Sequence, residues 1–155
     1  MRKLIIGLAL AAGCRSGSTM SATPPTPHSA KGGSNATGAP NGRDAVVQFL
    51  AAVKAQDLQA LGGIWGGPDG PARDNWSMDE LQKRELVMLC YLKFDSYEIV
   101  GDAPTTKGDR TYSVNMKLKD LSHTGLFTVT RAGSGRYYMQ SVDNFQLFQD
   151  FCGAK

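Results

Sequence analysis

At 155 residues the chain has the length of one domain, able to bury roughly two-thirds of its unfolded surface and too short for two full domains. Its formal net charge is +3, but Arg2 and Lys3 supply two of the 17 basic residues. The 15 that remain face 14 acids, all at or beyond Asp44, and they form no cluster suited to displacing counterions from phosphates, which argues against nucleic acid as a partner. Two histidines, His28 and His123, leave little material for a histidine metal site or a histidine base, so no cofactor is expected.

Arg2 and Lys3 precede nine uncharged residues, 4–12, in the layout of an export signal. As a helix this stretch reaches about 14 Å, under half of the roughly 30 Å hydrocarbon core, so it is read as a targeting segment and not as a membrane anchor. Two cleavage sites compete. Ala9-Leu10-Ala11 fits an ordinary A-x-A site, whereas Ala11-Ala12-Gly13-Cys14 resembles the bacterial lipobox, departing from it where Ala11 stands in place of the usual Leu. Cysteine parity bears on the choice: an exported protein with three cysteines, Cys14, Cys90 and Cys152, leaves one sulfur over. Lipidation of Cys14 uses it and leaves Cys90 and Cys152 to pair. Closing a loop of about 60 residues would then contribute roughly 4 kcal/mol. The alternative is two buried thiols packed as small hydrophobes. The lipoprotein resemblance implies a diacylglyceryl group on Cys14, and two or more acyl chains hold a protein on a bilayer where one would bind only marginally. With Arg15 next, it also implies the outer membrane in preference to the inner. The A-x-A alternative gives a secreted or periplasmic protein.

Residues 1–13 are thus the expected signal peptide and residues 14–42 a tether. Positions 15–42 contain no Val, Ile, Leu, Phe, Trp or Tyr, so ordering them has no apolar burial to offset its entropy. A flexible chain of that length reaches on the order of 30 Å.

The folded domain is expected over residues 43–155. Asp44 is placed to cap a helix that carries Val46, Phe49, Leu50 and Val53 as one buried stripe, and Asp57 to continue or restart it through Leu58, Leu61 and Trp65. Gly62-Gly63 and then Gly66-Gly67-Pro68 are expected to weaken and end that run, with a surface loop to Trp76. Ser77 and Glu80 form the capping-box pattern of a further helix over 78–92, whose second half, LVMLCYL, is apolar all round and should be enclosed. Four strands follow: one opening at Tyr97; one in which Tyr112, Val114, Met116 and Leu118 alternate with polar residues; one over 126–130; and one over 137–142, reached through Gly133-Ser134-Gly135. His123 falls in the connection before the third strand and is expected to be solvated.

Helices followed by antiparallel strands define an α+β layout. Through DAVVQFLAAVKAQDLQALGGIW and the hairpin FTVTRAGSGRYYMQSV, the region after the tether resembles the nuclear transport factor 2-like, or cystatin-like cone, superfamily. That resemblance implies N-terminal helices packed in a curved sheet of about four strands around a pocket. Some members resemble ketosteroid isomerases or polyketide cyclases, which need a carboxylate base facing a hydrogen-bond donor. The alternation directs Tyr112, Val114, Met116, Phe127, Tyr138 and Gln140 inward as pocket-lining candidates, with Tyr112, Tyr138 and Gln140 able to donate. No carboxylate falls on the inward face of the three later strands unless Asp95, Glu98 or Asp102 turns in, so no catalytic residue is assigned. Trp65 and Trp76 either line that pocket or close the core.

Three roles remain open: a non-catalytic module whose cone takes a small apolar ligand or whose sheet meets another envelope protein; an isomerase- or hydrolase-like enzyme; and a structural envelope component, favoured if the cone is filled with side chains.

Overall fold

The computed structural model describes residues 37–105 and 107–153. The signal peptide, Cys14 and positions 14–36 of the expected tether lie outside the described residues. Among the described residues, no helix is long and apolar enough to cross a membrane.

The first helix, α1 (Gly42–Ala55), starts two residues before Asp44 because Asn41 takes the capping role. Asn41 is extended, and its side-chain oxygen accepts the Asp44 N–H at 2.9 Å while its amide donates to the Asp44 carboxylate at 2.8 Å. The folded part also begins ahead of residue 43. Ala39 is fully buried and exchanges two backbone hydrogen bonds with Tyr137. Gln56, in the left-handed conformation, ends α1, and Asp57 caps a new helix, α2 (Leu58–Ile64), by accepting the Ala60 N–H at 3.0 Å. Gly62 and Gly63 do not break this helix; they sit buried within it. A Cβ on Gly62 would stand 3.0 Å from Glu85 Oε1 and 3.2 Å from Leu81 Cδ2, so glycine here serves close helix packing.

The expected surface loop instead forms a two-residue ribbon, β1 (Gly66–Gly67) with β2 (Gly70–Pro71), and one helical turn, α3 (Ala72–Asn75). The Asn75 amide donates to Pro71 O at 2.9 Å and holds that turn. Ser77 caps α4 (Met78–Tyr91) by accepting the Glu80 N–H at 3.3 Å.

Strands β3 (Ser96–Pro104), β4 (Arg110–Leu118), β5 (Leu121–Arg131) and β6 (Tyr137–Asp143) form one antiparallel sheet in sequential order, so the architecture is α+β. Strand β5 starts five residues earlier than its apolar run predicts. The link from β4 is only Lys119-Asp120, which carries no turn-type glycine; Lys119 takes φ 53° and its N–H is received by the Asp95 carboxylate at 2.8 Å. His123 is therefore a strand residue opposite Met116, packed on Phe148 and Phe151 and not a solvated connector. A 3₁₀ turn (Phe145–Phe148) and α5 (Gln149–Gly153) close the described chain, with Phe148 directly over Gly125.

Helix α1 lies on the inner face of the sheet, with Phe49 edge-on to Phe127 at 6.4 Å between ring centroids. Helix α4 packs on α1, α2, α3 and α5, forming an outer layer. Its apolar second half is accordingly not enclosed: Leu86 is 54 % and Val87 50 % exposed, and Cys90 is half-buried. Apolar content all round a helix predicts burial only if neighbours cover every side, and here the cover reaches Met88 to Tyr91 in part and Leu92 fully but leaves out Leu86 and Val87. A disulfide joins Cys90 to Cys152, with the two Cα atoms 4.7 Å apart, and ties α5 to the end of α4.

Candidate functional site

The inward residues of β4 follow the alternation expected of a half-buried strand. Tyr112, Val114, Met116 and Leu118 are all buried, and Phe127 on β5 stands opposite Tyr112. They pack in one core cluster with Val46, Phe49 and Leu50, so the space they face is occupied by side chains. The Tyr112 hydroxyl lies against Gly42, where an added Cβ would come within 2.7 Å of it. Burial pushes this hydroxyl's pKa up, and the Asp102 carboxylate adds to the shift against Arg110 and Arg43.

Strand β6 departs from the expected pattern. Thr128 pairs with Ser141 but Val129 pairs with Met139, which leaves Gln140 as the extra residue of a β-bulge. The bulge reverses the facing of every earlier residue of the strand. Met139 enters the core in place of Tyr138, Gln140 is exposed, and Tyr138 pairs with Thr130 on the opposite face, buried against Gly38. Tyr138 and Gln140 therefore do not share a pocket with Tyr112. The Gln140 carbonyl instead accepts the Trp65 indole N–H at 3.3 Å, and Trp65 meets Trp76 edge-on at 4.9 Å, so this pair closes the core.

None of the three carboxylates considered as a base turns inward. Asp95 is engaged by the Lys119 N–H, Glu98 is exposed, and Asp102 is ion-paired with Arg110. Glu98 borders a shallow cleft of about 200 Å³ with Ser96, Tyr97, Asn115 and Lys117. Among the described residues there is no group of three or more His, Cys, Asp or Glu able to hold a metal ion.

Among the described residues the buried carboxylate is Glu85, in the helical layer. It follows Leu81 by four residues on α4, so both side chains point toward α2. Glu85 is 3 % exposed, and its Oε1 is buried without a hydrogen-bond partner. Loss of hydration penalises the charged form and pushes its pKa from 4.5 up to about 7. Glu85 borders a cleft of about 190 Å³ between α2, α3 and the start of α4, with Gly62 and Gln59 from α2, Arg73 and Asp74 from α3, and Met78 and Leu81 from α4. Chemically the cleft presents one carboxyl that changes charge near neutrality, beside an apolar wall. It has no tyrosine lining it, so it does not reproduce the base-and-donor pair of an isomerase cone. Glu85 lies outside the strands in which the cone resemblance places a base. Its signal was there: a Glu in the Leu81, Met88, Leu92 stripe of a helix whose other charged residues fall elsewhere.

Comparison of the chain with protein-family models, with curated proteins and with solved structures gives no match.

Proposed function

We propose that this chain is a lipid-anchored module of the bacterial cell envelope, held in the membrane through Cys14, which acts on another envelope protein through its outer surface and performs no catalysis. In this reading the curved sheet and α1 form a filled version of the cystatin-like cone. The observation that carries it is the packing of Tyr112, Val114, Met116 and Phe127 into the core with α1 residues, which leaves side chains where an internal ligand would sit. The outward position of all three strand-region carboxylates weighs in the same direction, because an enzyme of the cone type needs a base facing its donor.

The test has two arms. Metabolic labelling with a fatty-acid analogue should mark the wild-type chain and leave Cys14→Ala unlabelled and released from membranes; an unlabelled mature chain beginning at Ala12 contradicts the anchor. Photo-crosslinkers placed singly at exposed positions on α4 and on the outer face of the sheet should then capture one envelope protein from a contiguous set of positions. A small apolar molecule retained by the folded chain and lost in Tyr112→Ala would overturn the filled-cone reading.

The same filled interior favours a second reading, a structural envelope component. That reading expects weakened envelope integrity on deletion, with no single protein captured by the crosslinkers.

A further inference from the structure

We infer that the cleft between α2, α3 and α4 is a binding site for a short alkylammonium, with the ammonium on the Glu85 carboxylate and the alkyl chain along Leu81 and Met78. A buried carboxyl oxygen without a hydrogen-bond partner costs free energy, and it is tolerated where a ligand or water completes it. Glu85 Oε1 is such an atom, and Glu85 is one of the residues that border the cleft. Gly62 keeps that space clear, since any side chain there would press on Oε1 from 3.0 Å.

Charge decides between ligand classes. The charged groups lining the cleft besides Glu85 are Arg73 and Asp74, both from α3, and they lie within 3.9 Å of each other. Their charges offset one another, so ionised Glu85 sets the sign of the site, and α2 adds only the neutral Gln59. A cation is favoured over an anion. An ammonium brings three donors, and Glu85, Gln59 and Asp74 are the lining residues whose side chains carry acceptor oxygens.

Size and polarity then narrow the class. About 190 Å³ corresponds to roughly six water volumes and lies below the roughly 300–1,000 Å³ of sites for drug-sized ligands. The apolar wall of Leu58, Met78 and Leu81 suits a few methylenes. Both a free amine and the tip of a lysine side chain carry this chemistry. Because a cation favours ionised Glu85, binding should weaken as pH falls through about 7.

The experiment uses the full chain in its disulfide-bonded form, followed by amide NMR during titration with butylammonium chloride at pH 8 and at pH 5.5. Sodium chloride at matched ionic strength, tetramethylammonium and 1-butanol serve as controls. Saturating shifts centred on Gly62 and Glu85 are expected with butylammonium alone, at least tenfold weaker at pH 5.5. They should weaken at least tenfold in Glu85→Gln and in Gly62→Ala, with the remaining spectrum showing each variant folded. Nα-acetyl-lysine methylamide sorts the source: tighter binding than butylammonium assigns the site to a partner's lysine, weaker binding to a free amine, and either supports the ammonium chemistry. Shifts that do not saturate, that persist in Glu85→Gln, or that tetramethylammonium or 1-butanol reproduces would overturn the inference.

Discussion

The inner face of the sheet and the outer helix α4 solve the same problem with opposite results. From Tyr112 to Leu118 on β4 every second residue is apolar and every one of them is buried, because one core cluster drawn from α1, α2 and the C-terminal Phe148 and Phe151 covers that face. On α4 the apolar residues outnumber the positions its neighbours cover. Leu86 and Val87 remain exposed while a carboxylate, Glu85, is buried between α2 and α4. Burial follows what is packed opposite a position, and hydrophobicity tracks it only where the opposing surface is complete.

Substitutions sharpen that contrast. The largest effect is expected in the sheet core, where Phe127→Ala removes a fully buried ring stacked edge-on to Phe49 and should destabilise the fold by about 3–5 kcal/mol in chemical denaturation. Next is the bond that ties the outer layer to the C-terminus. Cys90→Ser with Cys152→Ser should lower stability by about 2–4 kcal/mol, and peptide mapping without reductant should recover the two cysteines of the wild-type chain as one linked species.

Glu85 gives an intermediate effect whose sign depends on pH. Its folded pKa, about 7, lies above the 4.5 expected when unfolded, so the folded state holds the proton more tightly. The resulting stability is fully present below about pH 4.5 and is lost as pH rises through about 7, by ~3 kcal/mol at most. Glu85→Gln should therefore flatten the stability profile between pH 4.5 and 7 and stabilise the protein by about 1–3 kcal/mol at pH 8, with little change at pH 4. The smallest effect belongs to the exposed side of α4: Leu86→Ser and Val87→Ser should each shift stability by no more than about 0.5 kcal/mol. A loss above 2 kcal/mol at either position would show that this side is enclosed after all.

Much of the architecture was legible because it rests on strong local signals. The stripe Val46, Phe49, Leu50 and Val53, the cap at Ser77 and the alternation from Tyr112 to Leu118 each had a single physical interpretation, and each stands in the structure. What escaped depends on contacts distant in sequence. The bulge at Gln140 displaces Tyr138 from the core face, and nothing in the strand's own residues marks it. The Lys119-Asp120 turn has no glycine to mark it, and the Asp95 carboxylate that receives the Lys119 N–H lies far back in the chain. Gly62 read as a helix breaker since its packing partner, Glu85, is 23 residues away. The cleft escapes for the same reason, since it exists only where three helices meet, although Glu85 itself is marked by its place in the Leu81, Met88, Leu92 stripe.

The buried carboxyl of the described residues lies in the helical layer, at Glu85, and not inside the sheet. Carboxyl-detected NMR of the full chain, following the Glu85 side-chain carbon from pH 3 to pH 9, tests it most directly. A titration midpoint near 7, set by burial beside Gly62 and Leu81, is expected. A midpoint of about 4.5, the value of a hydrated glutamate, would contradict it.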